Sequence, residues 1–324
     1  MKQNILQILI DHQGCFVSGE EISKTLSVSR TAIWKHINSL KGEGYDIKAL
    51  PRNGYCLKIR PDILSLEEIN IGLQTSVLGK TLHVFDEVSS TNDLLKKMAA
   101  EGAAEGTVVL AEHQIKGRGR MGRPWLAPKG GGLWFSLVLR PALKPFQASQ
   151  LIFVSAVGVC RALRKYTGLP VAVKWPNDLL LDGKKVCGIL TELSAEIDLI
   201  NYIVIGIGIN VNQQVWELPP ELQHIAGSLA MSAGHSFNRA GLLRSLLFEL
   251  EQEYHDYLAR GFDAVLQRWR QLDSTLGHEV IITSGGESFT GVARDIDEMG
   301  RLLVKTPEGD LRQVMAGDVS LRKK

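Results

Sequence analysis

Several common chemistries are missing from this sequence. Its four cysteines form no CxxC pair, so neither a zinc ribbon nor a dithiol redox centre is expected. The eight histidines show no metal-ligand spacing such as HExxH. There is no GxxxxGKS or GxxxxGKT segment, which excludes a P-loop nucleotide-binding protein. We expect small buried thiols in a reducing cytoplasm at Cys15, Cys56, Cys160 and Cys187.

Long apolar runs are also missing. No stretch approaches the length needed to cross a bilayer, and residues 1–4 do not begin a secretory signal. The composition, 44% hydrophobic and 22% charged, is that of an ordinary globular protein. We therefore expect a cytoplasmic protein with no membrane partner. Its 324 residues are enough for two or three domains.

A strong overall charge is absent too, because the net charge is only +2. The charge is unevenly spread, however. Residues 1–60 hold nine Lys and Arg against five Asp and Glu, a net charge of +4, and the remainder carries −2. A polyanionic partner is therefore expected at the N-terminal segment.

The N-terminal segment has the layout of a winged helix-turn-helix. Apolar residues recur at helical spacing from Ile5, and Ser18 and Ser29 each stand where a helix N-cap is expected. Two strand-like runs then flank residues 51–54, which end in a turn-forming Asn-Gly. We predict a DNA-binding domain over residues 1–62. The expected DNA contacts come from the second helix of the motif and the hairpin turn: Ser29, Arg30, Thr31, Trp34, Lys35, Asn38 and Arg52. A helical module for protein contacts, with an ordinary solvated basic face, is the alternative interpretation.

Two further domains are expected. Over residues 63–273, strand-like runs follow one another without helices in several places, which favours an α+β domain with a mixed sheet. Residues 274–324 have short strands separated by glycine turns and predict a small SH3-like β-barrel. The fold class is therefore α+β and multidomain.

The densest cationic stretch is the segment of residues 116–123, here called the Gly/Arg loop, with the sequence KGRGRMGR. It places four cations in eight residues with no acid among them. Glycines make positive φ available to the backbone, and arginine forks suit phosphate and carboxylate. The pattern suits either a small dense anion or a nucleic-acid backbone. Because the stretch lies inside an apolar domain rather than in a low-complexity tract, a small anion is favoured.

Other stretches of the central segment complete a candidate constellation. Residues 89–92 (SSTN) precede a helix, residues 174–178 (KWPND) follow a strand, and residues 185–190 (KVCGIL) and 205–210 (IGIGIN) are strands interrupted by glycine. A common reason to keep glycine in a strand is the close approach of a ligand. Each stretch alone also has an ordinary structural explanation, such as a plain N-cap, a surface lysine or a bulge.

Taken together, GRGRMGR-PW, KWPND, KVCGIL and IGIGIN resemble the biotin–protein ligase family, also called biotin–[acetyl-CoA-carboxylase] ligases. With the winged helix the whole chain resembles the bifunctional members, which are also biotin operon repressors. The resemblance implies that biotin and MgATP form biotinyl-5′-AMP, which then acylates a lysine of biotin carboxyl carrier protein. It also implies that the adenylate promotes homodimerisation and binding to operator DNA.

The resemblance also implies roles for individual residues. The catalytic set is Arg118, Arg120, Lys185 and Asp178. The biotin-binding set is Ser90, Thr91, Asn92, Gln114, Gly117, Arg118, Gly119, Arg120, Lys185 and Gly188. The ATP-binding set is Arg120, Arg123, Trp125, Asn177, Asp178, Lys185 and Asn210. No protein metal ligands are assigned, and Mg²⁺ is expected through the ATP phosphates.

Three rival interpretations stay open at this point. A lipoate–protein ligase would run the same adenylation on another cofactor. A pure transcription regulator would use the central domain only to sense a small molecule. An RNA-binding protein would use the Gly/Arg loop on a phosphate backbone, with salt-dependent affinity.

Overall fold

The computed structural model describes residues 1–284, 287–315 and 317–321. The chain divides into two compact units, Met1–Leu73 and Gln74–Lys324. The first contains the helix-turn-helix segment. The second contains both the central sheet and the C-terminal strands.

The first unit is a winged helix-turn-helix, as the sequence predicted. Its elements are α1 (Lys2–Asp11), α2 (Gly19–Leu26), α3 (Arg30–Gly42), β1 (Asp46–Leu50), β2 (Gly54–Ile59) and α4 (Leu66–Asn70). Serine side chains cap three of these helices, because Ser18, Ser29 and Ser65 each accept a hydrogen bond from a backbone N–H three residues on. Strands β1 and β2 pair antiparallel and form the wing.

The first unit contains a buried carboxylate that accepts hydrogen bonds from neighbouring side chains. Glu68 is fully buried, accepts from the Tyr45 hydroxyl at 2.8 Å and pairs with Arg60 at 2.5 Å. Burial, followed by the hydrogen bond to Glu68, raises the pKa of Tyr45, so the phenol stays protonated. Every charge in this group is paired, which is the condition for a buried carboxylate.

The second unit is built on a seven-stranded mixed sheet, which confirms the predicted fold class. Its strands are β3 (Leu82–Val88), β4 (Val108–Gln114), β5 (Gly132–Leu139), β6 (Ala172–Lys174), β7 (Asp178–Leu181), β8 (Lys184–Ala195) and β9 (Ile200–Asn210). Their order is β3-β4-β5-β9-β8-β7-β6. Strands β3 and β4 are parallel and the other neighbours are antiparallel.

Helices complete the central part of the second unit. They are α5 (Thr91–Ala100), α6 (Gln150–Thr167), α7 (Leu229–Ala233), α8 (Arg239–Arg260) and α9 (Phe262–Leu272). Among the described residues, one segment, Pro145–Thr167, is long and apolar enough to cross a membrane, and 72% of that window is buried inside the protein. The segment includes α6, which packs against α8 and α9 as a core helix.

The C-terminal strands form a separate antiparallel sheet. They are β10 (Glu279–Ser284), β11 (Glu287–Ile296), β12 (Leu302–Lys305), β13 (Leu311–Val314) and β14 (Asp318–Leu321), in the order β13-β12-β11-β10-β14. The short antiparallel strands agree with the pattern that the sequence predicts for this segment. Within the described ranges, no pairing of β13 with β14 closes the sheet into a barrel.

The cysteines differ from expectation in one case. Cys56, Cys160 and Cys187 are buried free thiols, but Cys15 is exposed. Cys15 lies in the connection between α1 and α2, beyond the last buried residue of α1, so it has no core to enter. Burial raises the pKa of Cys160 to about 11, so this thiol stays protonated at neutral pH.

Candidate functional site

The site begins at the N-terminus of α5. Ser90 is the N-cap, and its hydroxyl accepts from the backbone N–H of Asp93 at 3.4 Å. The backbone N–H and hydroxyl of Thr91 both donate to Gln114 Oε1, at 2.8 and 3.0 Å. Gln114 is the last residue of β4. Polar groups from a helix start and a strand end therefore meet at one place.

Ser136 joins this group and was not predicted. It is fully buried in β5, and its hydroxyl lies 2.7 Å from Thr91 Oγ1 and 2.5 Å from Asn92 Oδ1. A buried hydroxyl needs such partners, because an unpaired one would weaken the fold. The signal in the sequence is a lone serine inside the apolar strand GLWFSLVL.

Four charged side chains lie beside α5 and are called here the Arg118 cluster: Asp93, Lys96, Arg118 and Glu192. Arg118 donates to the two carboxylate oxygens of Asp93 at 2.6 and 2.9 Å, and to those of Glu192 at 3.1 and 3.3 Å. Lys96 binds Glu192 at 2.7 Å and Asp93 at 3.2 Å. The guanidinium of Arg118 is therefore already engaged by protein carboxylates.

The two acids of the Arg118 cluster are held ionised. Burial opposes the charge of Asp93, but hydrogen bonds from Arg118 and Lys96 lower its pKa below the ordinary value. Burial likewise opposes ionisation of Glu192, and hydrogen bonds from Lys96 and Asn92 lower its pKa. Asn92 contributes its side-chain N–H₂ at 2.8 Å. The cluster is thus connected directly to the residues at the start of α5.

The Gly/Arg loop folds back on itself. The backbone N–H of Gly119 donates to the Arg123 carbonyl at 2.7 Å, and Trp125 N–H donates to the Gly117 carbonyl at 2.8 Å. A Cβ on Gly117 would lie 2.6 Å from the carbonyl oxygen of Trp125, so only glycine fits there. In this loop positive φ falls at Met121 and Gly122.

Arg120 and Asn177 connect the loop to the KWPND segment. The Arg120 Nη1 group donates to Asn177 Oδ1 at 3.1 Å, and Asn177 Nδ2 donates to the Ile189 carbonyl at 2.9 Å. Asn177 is buried, and the peptide bond between Trp175 and Pro176 is cis. Arg123 is exposed at the far end of the loop. The structure thus brings Arg120 to Asn177, a partner from another segment of the chain.

Trp125 covers the glycines of two neighbouring strands. Gly188 and Gly208 are paired in register across β8 and β9. A Cβ on Gly208 would lie 2.6 Å from the Trp125 indole, and one on Gly188 would lie 2.9 Å from it. A Cβ on Gly206, the third glycine of these strands, would lie 2.2 Å from Asn92 Oδ1. The close approach expected at these strands is thus made by side chains of the protein itself.

Lys185 lies next to Trp125. Its ammonium group is 2.6 Å from Asp178 Oδ1 and 5.3 Å from the centre of the Trp125 ring. At the end of β9 the buried Asn210 donates to the Gly227 carbonyl at 2.9 Å. Lys185, Asp178 and Trp125 therefore meet at one side of the loop.

No dedicated metal centre is formed by the described residues, which hold no group of three or more His, Cys, Asp or Glu side chains placed to bind an ion. Asp178, already paired with Lys185, is the carboxylate at this part of the site. Such a donor set fits an ion that arrives already bound to phosphate oxygens.

The candidate DNA-contacting residues lie together in the first unit. The side chains of Arg30, Thr31, Trp34, Lys35 and Asn38 are all exposed on α3, and Trp34 is 56% exposed. Ser29 caps the same helix. Arg52 is exposed in the hairpin turn. Large exposed aromatic and basic side chains on the second helix of this motif suit insertion into a groove.

The fold and the site together define a class of protein: one with a polar and cationic site on an α+β domain, a winged helix-turn-helix and a small C-terminal sheet. Residues 84–210 match the biotin/lipoate A/B protein ligase family. Residues 2–56 match an HTH domain and residues 275–322 the biotin protein ligase C terminal domain.

Relatives match the chain over nearly its whole length. The bifunctional ligase/repressor BirA of Bacillus subtilis is 40% identical, covering 99% of this chain and 98% of that protein. The BirA of Escherichia coli is 34% identical over 95% and 94%. A biotin protein ligase from Aquifex aeolicus, solved in complex with biotin and ATP, is 33% identical with a TM-score of 0.65, covering 76% of this chain and all of that chain.

This chain belongs to the biotin protein ligase family, among its bifunctional ligase/repressors. It is a ligase, and its N-terminal unit is a DNA-binding repressor domain. The rival interpretations as a pure sensor and as an RNA-binding protein are set aside by the same matches.

Proposed function

We propose that this chain joins biotin to a protein lysine in two steps. In the first step the biotin carboxylate attacks the α-phosphorus of ATP, and the bond to pyrophosphate breaks, which gives biotinyl-5′-AMP. In the second step the lysine amine of biotin carboxyl carrier protein attacks the acyl carbon, loses a proton and releases AMP. The observation that carries the proposal is the meeting of Arg120 with Asn177 beside Lys185, within a chain of this family.

The cationic residues answer the main difficulty of the first step. A carboxylate and a polyphosphate repel each other strongly once water is removed. Arg120 and Lys185 would supply fixed positive charge between the two anions, and Arg123 is proposed to hold the departing pyrophosphate. Arg118 adds its charge once its guanidinium leaves Asp93 and Glu192.

The polar groups at the start of α5 suit the biotin head group. A cyclic urea has both N–H donors and a carbonyl acceptor. Ser90, Thr91, Asn92 and Gln114 together offer hydroxyl, amide N–H₂ and amide oxygen groups at one place. Gly117, Gly119 and Gly188 are proposed to line the biotin side of the site, where Trp125 lies against Gly117 and Gly188.

The nucleotide is proposed to lie on the side of Asn177, Asp178 and Asn210, with the Trp125 indole available to pack on the adenine. Magnesium is proposed to enter with the phosphates, where it neutralises their charge. In the second step Asp178 is the candidate to orient the acceptor lysine or to take its proton. Its contact with Lys185 holds the carboxylate in place for that task.

Biotin-dependent exchange of pyrophosphate into ATP tests the ligase proposal. The exchange requires a reversible adenylation step, so a protein that only senses biotin will not show it. A parallel assay with lipoate separates the two ligase chemistries that share this fold. Exchange with lipoate and not with biotin would overturn the proposal.

The repressor activity is proposed to depend on the adenylate. Liganded protein would form a homodimer in the cytoplasm and present two winged helices to a two-half-site operator. The prediction is that biotin with ATP increases both the dimer fraction in sedimentation and the fraction of operator DNA shifted on a gel. Operator binding that does not respond to either ligand would contradict the coupling.

A further inference from the structure

Trp175 is held by the part of the chain that leads into the C-terminal sheet. Its backbone N–H donates to Thr275 Oγ1 at 2.9 Å, and its indole N–H donates to the Gly300 carbonyl at 3.1 Å. Trp175 is 1% exposed and Thr275 is fully buried. Water cannot replace either acceptor at such positions, so loss of one hydrogen bond leaves a buried donor unpaired.

The segment that carries Thr275 is itself firmly attached to the central sheet. Asp273 pairs in parallel with Val173 of β6, and the backbone N–H and hydroxyl of Ser274 donate to the Val173 carbonyl at 2.8 and 3.0 Å. The Asp273 carboxylate accepts from the backbone N–H groups of Thr275 and Leu276 at 2.8 and 2.6 Å. The hydroxyl of Thr275 is thereby presented at a fixed position.

The turn that carries Gly300 is equally well defined. Gly300 N–H donates to the Asp297 carbonyl at 2.9 Å, and Asp297 Oδ1 accepts from the backbone N–H groups of Met299 and Arg301 at 2.9 Å. Gly300 has a φ of +78°, and a Cβ there would lie 2.7 Å from the Phe153 ring. Only glycine allows this turn to approach α6 so closely.

Trp175 connects Thr275 and Gly300 to the site. Asn177, two residues further along the chain, donates to the Ile189 carbonyl and accepts from Arg120. A series of short contacts therefore runs from Thr275 and Gly300, through Trp175 and Asn177, to Arg120 of the Gly/Arg loop. The hydrogen bonds at the two ends of the series join residues that are distant in sequence, and the chain itself joins Trp175 to Asn177.

We propose that Thr275 and Gly300 are positioning residues for the adenylation step. By fixing Trp175 they hold Asn177 where it meets Arg120 and the nucleotide. The C-terminal domain thus shapes the nucleotide side of the site without touching the substrates. This inference rests on the proposed function, in which Asn177 serves the nucleotide.

The test compares four variants in biotin-dependent pyrophosphate exchange. Thr275→Val keeps the size of the side chain and removes the acceptor, and Trp175→Phe removes the indole donor. We expect the KM for ATP to rise about tenfold in both, equivalent to ~1.4 kcal/mol, with the KM for biotin within about twofold of wild type. Thr275→Ser keeps the hydroxyl and is expected to restore the wild-type KM. Thr290→Val, the same change at an exposed site on β11, is the matched control.

The outcomes separate this proposal from the proposed function. If Thr275→Val exchanges pyrophosphate at the wild-type rate with an unchanged KM for ATP, the positioning role is overturned. The proposed function is not affected by that result. Equal losses for ATP and biotin, or the same loss in Thr290→Val, also overturn the positioning role, because they indicate general destabilisation. If Thr275→Val does not unfold cooperatively, Trp175→Phe decides. Absence of biotin-dependent exchange in the wild type overturns the proposed function, and this proposal with it.

Discussion

At the scale of single residues, the loop arginines have different surroundings although their sequence context is nearly the same. Arg118 binds two carboxylates, Arg120 binds the Asn177 amide, and Arg123 is exposed. The hydrogen bond to Asn177 holds the Arg120 guanidinium beside the proposed nucleotide side of the site, where a hydrogen bond to an anion would be charge-assisted. Loss of this cation is therefore expected to weaken the hold of the site on the adenylate.

The prediction is that Arg120→Gly makes the adenylate leak from the site. Without this cation the mixed anhydride is held less tightly and reaches lysines of bystander proteins. Labelling of serum albumin, followed on a streptavidin blot, measures the leak. Lys116→Gly is the control, since it removes an exposed charge from the same loop. Tight retention and unchanged acceptor selectivity in Arg120→Gly would contradict the assignment.

A second residue-scale prediction concerns Glu251. This buried carboxylate on α8 accepts hydrogen bonds from the backbone N–H groups of Ser76, Val77 and Leu78 at 2.6 to 2.8 Å. Burial opposes its ionisation, but these hydrogen bonds lower its pKa below 4.5. Because the folded-state pKa is depressed, the stabilisation is present above 4.5 and is lost as the pH falls through the folded-state value.

Glu251→Gln is therefore expected to lower the free energy of unfolding by about 1.5–3 kcal/mol at about pH 7. The difference from wild type should shrink as the pH falls through the folded-state pKa of Glu251, which lies below 4.5. Denaturant unfolding of both proteins, at neutral pH and at acidic pH, measures both effects. Glu101→Gln, at an exposed position, is expected to change neither. A difference that stays constant with pH would show that ionisation of Glu251 does not matter.

At the scale of elements, the glycines of strands β8 and β9 form the surface on which Trp125 packs. Gly188 on β8 and Gly208 on β9 face each other, and the indole lies against both. The flat surface left by two glycines sets the position of the ring and, through the contact with Lys185, the position of the ammonium group. Side-chain packing on the sheet thus controls a charge in the site.

Gly208→Ala is expected to displace the Trp125 indole and to lower the adenylation rate at least about tenfold. The physical reason is that the new Cβ would lie 2.6 Å from the ring. Pyrophosphate exchange measures the rate, and tryptophan fluorescence reports the movement. Gly42→Ala, where nothing lies within 4 Å, is the comparison. A normal rate with unshifted fluorescence would count against this role of the glycines.

Local signals allowed most of the elements to be predicted. Ser18, Ser29 and Ser65 mark helix starts because an N-cap is a short-range interaction that the sequence shows directly. Strand β7 is hard to predict from the sequence because it has only four residues and follows directly on the turn at Asn177. Helix α9 follows Gly261 and has Phe262, Val265, Leu266 and Trp269 at helical spacing.

The partners within the site could not be predicted in the same way. Residues 90–92, which are proposed to bind biotin, lie together simply because one segment contains them. Arg118, however, meets carboxylates 25 and 74 positions away, and these contacts depend on how β8 and α5 are placed by the sheet. Which residues form such pairs depends on tertiary packing, and tertiary packing cannot be read from the local sequence.

At the scale of the whole molecule, the chain has two compact units with separate tasks. DNA-contacting candidates lie in Met1–Leu73, and the ligand-binding candidates lie in Gln74–Lys324. A change on the exposed face of α3 should therefore affect DNA binding and leave the chemistry intact.

The prediction is that Arg30→Ala weakens operator binding and reduces its salt dependence by about one ion. Biotin-dependent pyrophosphate exchange should stay at the wild-type rate. Gel shift at two salt concentrations and the exchange assay are run on the same preparation. Lys41→Ala, in the last turn of the same helix, is the control for general loss of charge. A parallel loss of exchange activity would argue against separate tasks.

The Arg118 cluster has a consequence for selectivity. Its two acids and two bases sum to zero charge, so the empty site attracts anions less strongly than the Gly/Arg loop suggests by itself. A free phosphate or a stray nucleic-acid strand must compete with Asp93 and Glu192 for Arg118. In a chain that also carries a DNA-binding unit, this pairing is expected to reduce non-specific binding of polyanions to the Gly/Arg loop.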